Sequence, residues 1–305
     1  MKNFSELIEK AQSQTIKKTV VVIAAHDEHT LEAVDMVFKS NVAIPVLIGN
    51  VKKINELIKS RGYNLNKVEM IEENDEKEAA KKGVLMARQG VADFIMKGKL
   101  QTADLLKTVV NKESGLQMEG IMSHFGIFEI PTYHKLLVVT DGGMIPYPDV
   151  NEKTEILRNA VRTLCALGYK SPKVAVLAST ELVNPKLQES VDGDILKKLN
   201  QDGKIKDCIV EGPISYDLMI SHESAAIKEY SSPVTGETDI LLMPNMTSGN
   251  LLAKSYQFSS GAKMAGMIVG ASVPIVLVSR GATAEEKYLS LVLSAAMAQK
   301  TKGEM

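Results

Sequence analysis

Apolar residues along this chain fall into short blocks with two alternating periods. Lys18 to Ala25 (KTVVVIAA) is a β-branched run of strand length without polar alternation, the pattern of a strand covered on both faces. HDEHTLEAVDMVFKS, residues 26–40, switches to helical spacing behind a polar turn. Ala43 to Gly49 (AIPVLIG) reads as a second strand, and VKKINELIKSRG, residues 51–62, as a second helix closed by Gly62. A third helix is expected from Asp75 to Gln89. VADFIMKGKLQTADLLKTVVNKE then gives a strand ending in Lys97, Gly98 and Lys99 and a helix opening near Thr102. This alternation predicts an α/β fold with parallel sheets.

Two more apolar runs, MSHFGIFEI and KLLVVTDGGMIPYPD, close the first half, with Ser123 and His124 before one and Thr140, Asp141, Gly142 and Gly143 after the other. Pro146 and Pro148 place a boundary near residue 150. A helix, NEKTEILRNAVRTLCALG, opens the second half, and PKVAVLAST echoes the first strand. Strands at Cys208 to Val210 and Asp239 to Met243 each run into a polar turn, EGPISYD and PNMTSGN. The helix after the second turn sets Asn250 and Lys254 four residues apart on one face, positions that a cap and a solvated lysine also explain. Finally Val273 to Val278 reads as a buried strand and Ala284 onward as a helix with Leu289, Leu293 and Met297 on one face.

The loop between these last two elements carries the most chemistry. Ser279, Arg280, Glu285, Glu286 and Lys287 stand where the carboxyl end of a parallel strand opens into a crevice, the place where open α/β sheets bind ligands. The fork of Arg280 suits phosphate or carboxylate, and an ion pair with Glu285 or Glu286 explains it equally well. Thr283 is a candidate N-cap. Lys97 and Lys99, in a Gly-bearing turn at a helix start, form a candidate anion cradle or a pair of solvated lysines. The order and spacing of a P-loop are absent.

Composition narrows the function classes. A chain of 305 residues with 45% hydrophobic content supports two packed cores, and a formal net charge of −1 offers no field for nucleic acid or acidic membranes. Two cysteines, Cys165 and Cys208, without ligand spacing read as core thiols of a reduced compartment. The amphipathic start MKNFSELIEKAQ lacks a signal-peptide core, so a cytoplasmic protein is expected. His26 and His29 flank two acids, better read as a helix N-terminus than as a metal site.

KGKLQTADLLK, SH at 123–124, TDGG at 140–143, EGPISYD, PNMTSGNLLAK and VPIVLVSRGATAEEK, taken together, resemble the phosphate acetyl/butyryltransferases in order and spacing from about residue 18 to residue 298. KGKLQTADLLK and DEHTLEAV look more like the butyryltransferase branch of that family than the acetyltransferase branch. The resemblance implies two parallel-sheet α/β domains with a cleft between them, similar to isocitrate and isopropylmalate dehydrogenases. The C-terminal segment 268–305 would return to a first domain of residues 1–150, leaving 151–267 as the second. It also implies a reversible reaction of acyl-CoA with phosphate to give acyl phosphate and CoA, with CoA a substrate, no metal or redox cofactor, and a homo-oligomer. The apolar stretch LSLVLSAAMA suggests surface to spare for such an assembly. A thiol attacking an acyl phosphate must lose a proton, and the family's acid maps onto Glu286, with Glu285 adjacent. Arg280 and the Ser279 hydroxyl would stabilise the oxyanion and the phosphate. By the same resemblance Lys97, Lys99, Thr102, Lys107, Ser123, His124, Asp141, Asn245, Asn250, Lys254 and Lys287 are expected to bind substrate. Lys107 stands where acetyltransferase relatives carry an arginine, which keeps the charge and loses the fork.

Overall fold

The computed structural model of the protein describes residues 1–65, 67–118, 120–279 and 281–297. In chain order the first elements are α1 (Phe4–Gln12), β1 (Lys18–Ile23), α2 (Glu28–Lys39), β2 (Ala43–Gly49), α3 (Val51–Arg61), β3 (Glu69–Glu72), α4 (Glu76–Arg88), β4 (Phe94–Lys97) and α5 (Thr102–Val109). Next come β5 (Ser123–Glu129), β6 (Leu137–Thr140), α6 (Val150–Ala166), β7 (Lys173–Leu177), α7 (Gln188–Gln201), β8 (Ile209–Ile214), α8 (Tyr216–Ile220) and α9 (His222–Ile227). The chain continues through β9 (Ile240–Leu242), α10 (Met246–Ser260), β10 (Lys263–Val269), β11 (Ile275–Val276) and α11 (Ala284–Met297).

Local chemistry explains many of these bounds. Asp27 caps α2 by accepting from the Thr30 amide, Asp75 caps α4, and Gly62 ends α3 at φ +69°, a left-handed position that suits glycine. The acids near His26 and His29 are taken up in this way, with Glu28 paired to Arg61 at 2.5 Å. Among the described residues no group of three or more His, Cys, Asp or Glu is arranged to hold a metal, and no helix is long and apolar enough to cross a membrane.

The chain divides into two compact units, Asn3–Glu119 with Met264–Met305, and Gly120–Lys263. The division therefore falls well before the expected boundary at residue 150. Sheet pairing is the reason: β5 and β6 pair with each other and β6 pairs with β9, which lies deep in the second unit. The helical start at residue 150, which looked like a domain boundary, is a helix within that unit.

In the first unit the strands lie in the order β3-β2-β1-β4-β11-β10, all parallel except β10 against β11. The second unit orders its strands β5-β6-β9-β7-β8, with β5 antiparallel to β6 and the others parallel. The strands of each unit are thus mixed rather than all parallel, with one antiparallel pairing in each. β4 and β6 are buried along their whole length, which accounts for their continuous apolar runs.

Helix α11 departs from its expected one-sided pattern. Ala284 and every residue from Lys287 to Ala296 are buried, and the helix packs on α1 and α2 of its own unit. A helix apolar on all sides is a core helix. Its apolar surface is used inside the chain, so the expected homo-oligomer draws no support from LSLVLSAAMA.

Candidate active site

Register brings the first set of site residues together. Ile23 at the end of β1 lies opposite Lys97 at the end of β4, and Val276 at the end of β11 lies opposite Met96. Three neighbouring parallel strands therefore release their loops at one edge, where a crevice is expected. The loops are drawn together by backbone bonds: the Gly98 amide donates to the Ile23 carbonyl and the Lys99 amide to the Ala24 carbonyl, both at 2.8 Å. Gly98 is required here, because a Cβ at this position would stand 2.3 Å from the Ala24 carbonyl oxygen.

At that edge is a cavity of about 400 Å³ lined by Asp27, Glu76, Lys97, Lys99, Ser279 and Lys287, together with Gly98, Leu100, Gln101 and Val278. Four of the expected site residues, Lys97, Lys99, Ser279 and Lys287, thus share one wall-to-wall space. Lys97 is buried, and its ammonium donates to the carbonyls of Gly98 and Leu100 at 3.2 and 3.1 Å. Lys99 is exposed. Lys287 is 7% exposed and donates to Thr30 Oγ1 at 2.9 Å, with Asp27 Oδ1 at 3.5 Å. Three ammonium groups against two carboxylates leave a surplus of positive charge facing the space, the condition for holding a phosphate. Asp27, Glu76 and Gln101 were not anticipated as lining residues. The crevice rule applied to β1 as well as to β11 points to Asp27, which lies in the loop between that strand and α2.

Beside the cavity, His26 has its Nδ1 sealed from solvent with no hydrogen-bond partner. Burial lowers its pKa from the ordinary imidazole value, with the Lys53 and Lys99 charges adding to the effect and Glu76 and Asp27 opposing it.

The acids of α11 sit differently from Ser279. Glu286 closes a capping box with Thr283: its carboxylate accepts from the Thr283 amide at 3.1 Å, and its own amide donates to Thr283 Oγ1 at 3.1 Å. Glu285 is exposed in the same turn. Arg280 lies outside the described residues. Thr102 opens α5 and Lys107 is exposed in its last turn, and neither lines the cavity.

The remaining expected residues belong to the second unit, around the carboxyl ends of β6 and β9, where Thr140 lies opposite Leu242. Asp141 is buried, and its carboxylate accepts from the amides of Gly143, Met144 and Ile145 at 2.6, 2.9 and 3.2 Å. These bonds make it the anchor of its loop. Asn250 donates to the Gly142 carbonyl at 3.3 Å, and Lys254 reaches Gln257 at 3.2 Å and lies over the Phe258 ring. Asn245 caps α10 through the Ser248 amide and lines a separate space with Asp149 and Asp192. Ser123 is fully buried, and its hydroxyl accepts from Asn159 at 3.2 Å, so its role is internal.

His124 lies against Gly143, where a Cβ would stand 3.3 Å from the ring, and its Nδ1 is sealed without a partner. Burial lowers its pKa, Asp141 opposes that shift and Lys254 adds to it, so the imidazole is held neutral. Burial also pushes the Cys208 thiol up to about 12, leaving it inert as a nucleophile.

If Asp141 only anchors its loop, Asp141→Asn is expected to lower stability by about 2–3 kcal/mol, because charge-assisted bonds are weakened and one amide meets an NH₂ group. Thermal melts should show a clear drop in Tm while substrate KM values stay within about twofold of wild type. An unchanged Tm with a raised KM would instead make Asp141 a substrate ligand.

Residues 3–82 and 73–295 match a family described as phosphate acetyl/butaryl transferase. The phosphate butyryltransferase of Clostridium acetobutylicum is 38% identical over 298 residues, covering 98% of this chain and 99% of that protein. The phosphate acetyltransferase of Thermotoga maritima is 37% identical over 293 residues, covering 96% and 99%. A crystal structure of a branched-chain phosphotransacylase from Enterococcus faecalis V583 superimposes with a TM-score of 0.82 at 31% identity, covering 92% of this chain and 98% of that one.

Proposed function

The chain belongs to the phosphate acetyl/butaryl transferase family, and from that premise we propose that it is an acyl-CoA:phosphate acyltransferase acting on butyryl or a similar short or branched acyl group. The observation that carries the reading is the cavity in which Lys97, Lys99 and Lys287 meet Ser279 at the ends of three parallel strands. An acyltransferase of this kind handles phosphate, a phosphorylated thiol and a developing oxyanion, and all three call for cations and donors in one place.

In the acyl phosphate-forming direction a phosphate oxygen attacks the thioester carbonyl, the carbon–sulfur bond breaks, and CoA leaves as a thiolate that takes up a proton. In reverse, a carboxylate takes the thiol proton, the thiolate attacks the acyl phosphate, and phosphate leaves. We assign the carboxylate to Glu286, and stabilisation of the oxyanion and the phosphate to Arg280, the Ser279 hydroxyl and the lysines. Similar identity to a butyryltransferase and an acetyltransferase, 38% and 37%, means that overall likeness does not choose the acyl chain. The choice of a longer chain rests on the KGKLQTADLLK and DEHTLEAV segments.

Phosphate-dependent release of free thiol from acetyl-, propionyl-, butyryl- and isobutyryl-CoA tests the reading. We expect the highest kcat/KM with butyryl- or isobutyryl-CoA. A best substrate of acetyl-CoA would move the chain to the acetyl branch, and no release from any of the four would leave a binding protein without turnover.

The scheme needs only proton transfer and anion stabilisation, so full activity is expected after exhaustive chelation. A loss of activity restored by one particular divalent ion would overturn this part.

A further inference from the structure

We propose that Thr30 is a positioning residue for substrate binding: its hydroxyl keeps Asp27 from capturing the ammonium of Lys287, and so leaves that ammonium available to a phosphoryl group in the cavity. The proposal rests on the acyltransferase reading for its substrates, since both phosphate and CoA carry the group in question.

Thr30 is completely buried, on the first turn of α2. Its hydroxyl has one hydrogen, which it donates to Asp27 Oδ2, and it accepts from Lys287 Nζ at 2.9 Å. Asp27 Oδ1 meanwhile accepts from the Thr30 amide at 3.3 Å as the helix cap. Both carboxylate oxygens are thus engaged by Thr30, and the nearest one stands 3.5 Å from the lysine nitrogen. A charge-assisted contact between ammonium and carboxylate usually closes to about 2.7–2.9 Å, so this ion pair is a loose one and the hydroxyl takes the closer place at the ammonium. An ammonium has three donors. Thr30 takes one, the long contact to Asp27 occupies another loosely, and Lys287 forms part of the cavity wall. Lys287 enters through α11 and Asp27 and Thr30 through α2, and these helices pack directly on each other, so the three groups are held by the core.

Thr30→Val keeps the shape and removes the hydroxyl. Asp27 Oδ2 then loses its donor, the carboxylate closes on Lys287, and the cavity loses the use of one cation. The KM of the phosphoryl-bearing substrate that uses Lys287 is expected to rise about tenfold, the equivalent of one charge-assisted hydrogen bond, with kcat within about threefold. Thr30→Ser should restore the wild-type KM. Adding Asp27→Asn to Thr30→Val should also bring KM back, because the competing carboxylate is gone, whatever the Tm does.

Two sources of the phosphoryl group are separated by the substrate varied. A rise in KM for inorganic phosphate alone places that ion at Lys287. A rise for acyl-CoA alone, absent with the dephospho-CoA thioester, places the 3′-phosphate of CoA there, and a rise retained with it places the pyrophosphate there.

Calorimetric titration of wild type and Thr30→Val with inorganic phosphate and with CoA reads the same difference without turnover. An inactive wild type would therefore overturn the acyltransferase reading and still leave this inference tested. Should Thr30→Val not fold, Asp27→Asn alone is expected to tighten binding of one of the two ligands, since it keeps the cap and frees the ammonium. Unchanged affinities and KM values in folded Thr30→Val, a KM equally raised in Thr30→Ser, or weaker binding of both ligands in Asp27→Asn would each overturn the inference.

Discussion

Glu286→Gln is expected to lower kcat by about 10²–10⁴, the usual contribution of a positioned general base, with Tm within a degree or two of wild type. The capping box survives this exchange. The carboxylate of Glu286 accepts the Thr283 amide, and a glutamine oxygen serves the same capping box. The Glu286 amide keeps its bond to Thr283 Oγ1 in either case. Gln therefore preserves the cap while removing the capacity to take a proton. An alanine at this position would confound the two roles, adding a loss of about 0.5–2 kcal/mol in helix stability to any loss of catalysis. Glu285, exposed in the same turn, is the natural control, and Glu285→Gln is expected to leave kcat within a few-fold. Measured kcat, KM and Tm for the two variants assign the base. Loss with Glu285→Gln alone moves the role to Glu285, and wild-type turnover in both removes the carboxylate base from this helix.

Arg280→Lys is expected to reduce kcat by on the order of 10², with little change in Tm. The argument is chemical: lysine keeps the charge but replaces a planar fork by a point donor, and an oxyanion or phosphate bound through two parallel bonds loses one of them. Arg280 follows Ser279 in the chain, and Ser279 lines the cavity that holds Lys97, Lys99 and Lys287. With several lysines already present there, a further simple charge is a poor substitute for the geometry of an arginine. Ser279→Ala should cost less, since a neutral hydrogen bond contributes about 1 kcal/mol. If Arg280 does no more than pair with an acid of α11, Lys is tolerated within a few-fold and any harm appears as a lower Tm. Near wild-type turnover in Arg280→Lys would therefore end its catalytic assignment.

Much of this protein is determined locally. The β-branched runs at Lys18 to Ala25 and Ala43 to Gly49, the helical spacing after each, and the caps at Asp27, Asp75 and Gly62 are properties of segments a few residues long, and they produce β1, α2, β2, α3 and α4 close to the expected bounds. The crevice at the end of β11 follows from the same local reading, because a buried parallel strand that enters a polar loop has only one place to put it.

What tertiary structure alone decided is which distant groups a polar side chain meets. Asp141 and Ser123 look in sequence like site residues, yet their oxygens are taken by the amides of Gly143 to Ile145 and by Asn159. Asp27 looks like a helix cap and is one, yet it also lines the cavity and stands beside Lys287, 260 residues away along the chain. The early boundary after residue 119 and the burial of α11 on all sides have the same origin. Hydrophobic period records whether a residue faces a core. It carries no information about strand order, register or hydrogen-bond partner, because those are selected by contacts between segments far apart in the chain, where a carboxylate bonds whichever donors the fold brings within 3 Å.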